Sequence, residues 1–232
     1  MRKPLALLAI MVLATIALGQ TTPAPISASA VWQPGTDFVA SAHAACDKTT
    51  PSAKFSDCVI NQMSKAGASA AAVSFTRELA KQTGGEVGII GNYHAVGPVD
   101  IAWVQYPLSS TSGLFLVNGE PRIINVENLK LLDEKTMQQS FQFQDLLNQF
   151  PKAGVWPGDR DGQTWPNSQT GDKGGLQFVI GYPLRNGCLN CAHAGYAIFT
   201  WNFSPSGRLM GTSFVGMTPA PISQPAPDAP QQ

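Results

Sequence analysis

Leu114-Phe115-Leu116-Val117-Asn118-Gly119-Glu120-Pro121-Arg122-Ile123-Ile124-Asn125-Val126 sets two apolar runs on either side of an Asn-Gly pair. Asn-Gly supplies the positive φ angles that a tight type I′ turn requires, so the stretch predicts a β-hairpin, Leu114 to Val117 against Arg122 to Val126. Upstream, Glu86 to Pro107 is rich in Val, Ile, Tyr and Trp and is divided at Gly97-Pro98, which predicts a second hairpin. Before it, Phe55 to Gln82 is Ala-rich, with Val59, Met63 and Val73 at helix-compatible spacings and Ser56 placed to cap a first turn. Ala66-Gly67-Ala68 divides this stretch into two helices, and Gly84-Gly85 ends the second.

Downstream of the hairpin the period returns to a helical one. Asn128 to Phe150 offers Leu129, Leu132, Met137, Phe141, Leu146 and Phe150 for one buried side, and Pro151 stops it. Gly154 to Gly175 reads as a long polar loop carrying Trp156, Asp159, Asp161, Trp165 and Asp172, a length that is uncommon without a role. Strands resume at Leu176 to Leu184. Tyr196 to Phe203 and Leu209 to Met217 form a last hairpin joined by Ser204-Pro205-Ser206-Gly207. Two-residue alternation puts Ala197, Phe199, Trp201 and Phe203 on one face, opposite Ile198, Thr200 and Asn202. The whole predicts an α+β fold, an antiparallel β-sheet built from hairpins with helices packed on it, stapled by disulfides.

The ends differ from this middle. Arg2 and Lys3 precede an apolar stretch from Leu5 to Leu18 that only Thr15 interrupts, and small residues follow. This is the pattern of a signal peptide, residues 1–19, with cleavage after Ala17-Leu18-Gly19 or as late as Ala28-Ser29-Ala30. The stretch is shorter than the ~18 to 20 apolar residues of a spanning helix, and no later one is long enough to anchor, so no stable membrane span is expected after cleavage. Position 20 is Gln, where a lipid anchor at the cleavage site would need cysteine. Residues 20–44 read as a linker and the start of the mature chain, 45–217 as a single α+β domain, and 218–232 as a disordered Pro-rich tail.

Charged residues are only 13% of the 232, and 15 Lys and Arg balance 15 Asp and Glu, with no basic run anywhere. Nucleic acid, whose phosphates demand clustered basic residues, is excluded as a partner on that ground.

Four cysteines in an exported chain predict two disulfides, and proximity favours Cys46 with Cys58 and Cys188 with Cys191. In the loop-entropy picture the first stabilises by roughly 3 kcal/mol and the second by roughly 2. Cys188-x-x-Cys191 has two other readings. A dithiol redox pair usually gains its thiolate from a following helix N-terminus, and here a strand follows. A zinc site would take Cys188, Cys191 and His193 with a fourth ligand such as His43 or His94, but a lone Cys-x-x-Cys lacks the second pair of structural zinc sites. Ala192 stands where covalent haem needs histidine. Asp159-x-Asp161-Gly162 mimics part of a calcium loop, but Pro157 and Ser168 occupy two anchoring positions. No cofactor is expected.

Phe55-Ser56-Asp57-Cys58, followed by a helix through Lys65-Ala66-Gly67, resembles the nucleophile segment of NlpC-type cysteine peptidases, and Gly113 to Gly119 resembles that family's histidine strand. The resemblance, across residues 55–119, implies a thiol-dependent cell-wall peptide hydrolase with Cys58 as nucleophile and His94 as base, provided Cys58 is free. Residues 176–217 carry a second resemblance. Val179 to Tyr182, a cysteine-closed loop, a strand with Trp201, a short turn and Met210-Gly211 are similar to the loop and hairpin of Ivy-type lysozyme inhibitors. In that family a disulfide-closed loop presents a histidine to the lysozyme active site. The resemblance implies that closing Cys188 to Cys191 pre-organises Asn190 and the loop, with His193 as a compact polar group at its edge. The reading favoured by the sequence is therefore an exported, periplasmic or extracellular, non-enzymatic binding or inhibitory protein. Cys188, Asn190, Cys191 and His193 are its binding residues, and its partner is an unidentified protein or cell-wall ligand. The alternatives are the Cys58/His94 hydrolase and a Cys/His metal-binding protein.

Overall fold

The strands around Asn118 are apolar at successive positions because both of their faces are buried. The computed structural model describes residues 24–46, 52–158, 165–171 and 174–219, and within them places five helices and two antiparallel sheets. The first sheet is a meander of β1 (Ile89–His94), β2 (Asp100–Tyr106), β3 (Thr111–Val117) and β4 (Ile123–Asn125), in that order. Register pairs Trp103 with Leu114 and Ile101 with Leu116, so these side chains and Ile124 share one face. Ala102, Val104, Phe115, Val117 and Ile123 share the other.

The hairpin forms where the sequence predicts it, but its turn differs. Val117 pairs with Ile123, so residues 118–122 form the connection, closed by the Asn118 N–H donating to the Arg122 carbonyl at 2.9 Å. Asn118 has φ 69°, Glu120-Pro121 is cis, and the two-residue type I′ turn does not form. The reason lies in the second sheet. Glu120 is drawn into hydrogen bonds with Gly207 and Leu209, and Gly119 is wedged so closely that a Cβ there would lie 2.8 Å from the Gly207 carbonyl oxygen. Gly119 is needed for that close approach, while Asn118 alone supplies the positive φ.

The second sheet has the order β5 (Ala153–Val155), β7 (Leu176–Asn186), β8 (His193–Phe203), β9 (Leu209–Pro219), with β6 (Asn167–Thr170) also pairing β7. Ala197, Phe199, Trp201 and Phe203 do share a face, and with Phe178, Ile180, Tyr182 and Leu184 they pack on the Ile101/Trp103/Leu114 face of the first sheet. There are thus two sheets face to face where the sequence suggested one. The expected loop from Gly154 to Gly175 contains part of β5 and all of β6. Every residue of β6 is polar and exposed, so it has no apolar alternation and is held by its backbone ladder to β7. Asp159, Asp161 and Asp172 lie outside the described residues.

The outer face of the first sheet is covered by α1 (Phe38–Ala45), α2 (Ser52–Lys65) and α3 (Ala70–Gln82). Phe75 and Leu79 pack on Ile90, Ala102, Val104 and Phe115, while Val59, Ile60 and Met63 meet Phe38, Ala42, Ala80 and Ile89. The α2–α3 break falls at Gly67 (φ 86°), and Gly84 and Gly85 end α3, with the Gly85 N–H donating to the Ala80 carbonyl. Ser56 is not a cap: α2 begins at Ser52, and the buried Ser56 hydroxyl donates to the Gly85 carbonyl, tying α2 to the turn after α3. Residues 24–44, within the stretch that composition marks as linker and start of the mature chain, are packed instead. Pro25, Pro34 and Gly35 colour the composition, yet Ile26, Ala30, Phe38 and Ala42 are buried and Val31 bridges Ile90. Residues 1–23, which hold the signal-peptide reading, are outside the described part. At the other end β9 extends through Thr218 to Pro219, which pairs with Gly195, and the rest of the Pro-rich tail is outside.

Asn128 to Phe150 is not one helix. It forms a 3-10 turn (Leu129–Leu131), α4 (Glu134–Gln139) and α5 (Phe141–Gln149). Ser140 ends α4 and caps α5, its hydroxyl accepting from the Phe143 N–H at 3.2 Å, and Asp133 caps α4 in the same way. The break rotates the apolar stripe: Phe143 is buried, whereas Phe141, expected inside, is 84% exposed.

Candidate functional site

Both predicted disulfides are present, Cys46–Cys58 with Cα atoms 5.8 Å apart and Cys188–Cys191 at 5.0 Å, and they are consistent with an oxidising, exported location. The second closes the tip of the β7–β8 hairpin, which projects from two eleven-residue strands anchored in the core. Arg185 pairs with His193 across a bulge at Leu184/Arg185, the Asn186 N–H donates to the Ala192 carbonyl, and the Cys191 N–H donates to the Cys188 carbonyl, each at 3.0 Å. Gly187 takes φ 93°, which lets the chain turn immediately before the disulfide. Gly187, Cys188, Leu189 and Asn190 are exposed, Leu189 to 50%. The tip is therefore cross-linked at its base and open to solvent at its end.

His193 stands at the edge of this tip. Its ring lies 4.7 Å from that of Tyr196 in a T-shaped contact, and its Nε2 is buried without a hydrogen-bond partner. Tyr196 is 40% exposed, and from β5's side Lys152 lies beside Gly187 and donates its N–H to the Asn186 side chain at 2.8 Å. Tyr196 and Lys152 were not singled out from the sequence. Tyr196 opens a strand legible in the sequence, but only the pairing of β5 with β7 brings Lys152 to the tip.

The other sequence candidates are dispersed. Cys58 is on α2, bonded to Cys46, and a disulfide sulfur is not a nucleophile until it is reduced. His94 is exposed at the end of β1, its ring stacked 5.3 Å from that of Trp165, and nothing described brings it to Cys58. His43 is on α1. Among the described residues no three His, Cys, Asp or Glu side chains gather as a metal site would require.

A cluster the sequence did not reveal surrounds Asp100. Its buried carboxylate accepts from the Tyr93 hydroxyl (2.6 Å), Asn118 Nδ2 (2.7 Å), the Val96 N–H (2.7 Å) and the Gly97 N–H (3.1 Å). Burial alone would raise this carboxyl, but the four hydrogen bonds together hold it below the usual carboxylate value. Tyr93 is raised, first by burial and then by its hydrogen bond to Asp100 and that charge. Asn118 also holds both the N–H and the carbonyl of Ile26. The cluster fastens the N-terminal segment to the sheet, with its hydrogen-bonding capacity spent inside the fold.

Replacing Cys188 and Cys191 together with Ser is expected to cost no more than about 2 kcal/mol of global stability, because the loop closed is short and the strands are held by the core. Urea denaturation under oxidising conditions checks this, and a much larger loss would mean that the tip is part of the cooperative core.

No helix among the described residues is long and apolar enough to cross a membrane. Compared with protein-family models, curated proteins and solved structures, the chain finds no significant match.

Proposed function

We propose that the protein is an exported, non-catalytic binding or inhibitory protein, acting in the periplasm or outside the cell, whose β7–β8 tip enters a cleft on its partner. One observation carries this reading: an exposed four-residue end, Gly187 to Asn190, is cross-linked by its own disulfide on top of two strands buried in the core. Such a loop has little conformational freedom left to lose on binding, where each ordered side chain otherwise costs about 0.5–1.5 kcal/mol. Leu189 offers an exposed apolar contact, and Tyr196 and Asn190 offer directional polar groups around it, with His193 packed on the Tyr196 ring. The resemblance of residues 176–217 to Ivy-type inhibitors makes the active-site cleft of a lysozyme the first partner to try.

The test adds oxidised mature protein to a muramidase assay. Inhibition that rises with protein concentration is expected, weakened about tenfold when Cys188 and Cys191 are both Ser, the equivalent of one lost unit of preorganisation. Unchanged lysozyme activity with a folded, fully oxidised sample sinks the inhibitor reading.

A further inference from the structure

At the other end of the same hairpin the outer face of the second sheet carries a ladder of side-chain amides. Gln169 Nε2 donates to Gln177 Oε1 at 3.1 Å, Gln177 Nε2 donates to Asn202 Oδ1 at 2.8 Å, and Asn202 Nδ2 donates to Ser213 Oγ at 3.1 Å. One hydrogen-bonded chain thus crosses β6, β7, β8 and β9 with a single direction. The last three members line an open concavity of about 380 Å³, within the roughly 300–1,000 Å³ of small-molecule sites. Its rim holds Met210, 68% exposed, and Pro205.

We infer that this groove is a binding site for a neutral oligosaccharide. Among the described residues, the side chains lining it carry no formal charge and so offer no charge attraction to phosphate or carboxylate ligands. Gln177 and Asn202 each keep a second amide hydrogen beyond the one used in the ladder, and Ser213 keeps its hydroxyl hydrogen, so the floor presents a row of donors and shared acceptors to a ligand rich in hydroxyl or acetamido groups. Met210 and Pro205 supply an alkyl wall for the apolar face of a sugar ring. The turn at Gly171 runs close to the Gln177 side chain: a Cβ there would lie 2.7 Å from Gln177 Cγ. A peptide strand fits less well, because β7 and β8 are interior strands whose backbone groups are paired with each other and with their neighbours.

The groove and the disulfide tip are separated by nine residues of β7, about 30 Å at roughly 3.3 Å per residue. The two sites therefore succeed or fail separately.

The experiment titrates the β-1,4-linked trimer of N-acetylglucosamine into the oxidised, isotope-labelled protein and follows side-chain amide resonances. Saturable shifts of the Gln177 and Asn202 NH₂ signals are expected. Asn202→Ala is expected to weaken binding about tenfold, the loss of one net hydrogen bond. Met210→Ala changes an exposed side chain, leaves the fold intact and is expected to weaken binding several-fold, while Leu189→Ala at the tip leaves it unchanged. Absence of saturable shifts, Met210→Ala binding equal to the parent, or tighter binding of a sulfated oligosaccharide would each overturn the assignment.

Discussion

Asp100→Ala is expected to lower the free energy of unfolding by about 3–4 kcal/mol at neutral pH. The carboxylate is 6% exposed and accepts four hydrogen bonds. Two donors have a fallback, since the Tyr93 hydroxyl and Asn118 Nδ2 also reach the Ile26 carbonyl. The Val96 and Gly97 N–H groups have none in the structure; Val96 is half-buried and its orphaned donor costs about 1–3 kcal/mol, whereas the exposed Gly97 can turn to solvent. Asp100→Asn keeps one acceptor oxygen and is expected to cost about 2 kcal/mol, because its NH₂ group must face donors. The effect has a definite pH sense. The folded-state pKa of Asp100 lies below its unfolded value, so the unfolded chain takes up the proton first as acid is added. The stabilisation is complete above the ordinary Asp range near pH 4 and disappears as pH falls through the lower folded value. Urea denaturation of parent and Asp100→Asn should therefore converge as pH falls below the ordinary Asp range; a gap that stays constant would show that the charge of Asp100 contributes nothing. Tyr93 acts at the opposite limit: its raised pKa means that stability is lost as pH rises past the ordinary tyrosine value of about 10.

Trp201→Ala should be as damaging, at about 4–5 kcal/mol. Trp201 is fully buried between the sheets, and its Nε1–H donates to the Tyr182 hydroxyl at 3.0 Å, which donates to the Val126 carbonyl at 2.9 Å. This relay joins β8 to β7 and then crosses to the chain just after β4, so truncation leaves a large cavity and breaks a polar connection between layers. For a domain of this size the loss corresponds to a fall in Tm of about 8–20 °C. Tyr182→Phe isolates the polar part, removing the relay with little change of volume, and is expected to cost about 1–3 kcal/mol. A double-mutant cycle should show strong coupling, because the hydroxyl of Tyr182 matters to Trp201 only while the indole is present. Additive losses would argue that Trp201 acts through packing alone.

What was legible in the sequence is what neighbours in the chain decide. The hairpins at 89–106, 111–125 and 193–219 join consecutive strands, and the two disulfides close short loops, so turn residues and spacing are enough to read them. The disulfide-closed tip, Cys188 to Cys191, is legible because it belongs to one such turn. Phe141 is exposed where unbroken helical periodicity expects it inside, because the capping hydroxyl of Ser140 restarts the helix at a new angle. Residues 24–44 have a linker's composition because turn-forming prolines stand among them, yet Ile26 is fastened to Asn118, 92 positions away.

The sequence by itself determined the class of fold, the local hairpins and the disulfide partners, all of which follow from short-range pattern and composition. The tertiary structure alone decided that the strands form two sheets, that Asp100 is a buried anchor, that Lys152 and Tyr196 flank the tip, and that Gln169, Gln177, Asn202 and Ser213 form one ladder. Those residues are polar at positions where an exposed strand face tolerates almost any polar side chain. Only strand order and register, which are set by burial of the opposite face, bring them within hydrogen-bonding distance of one another.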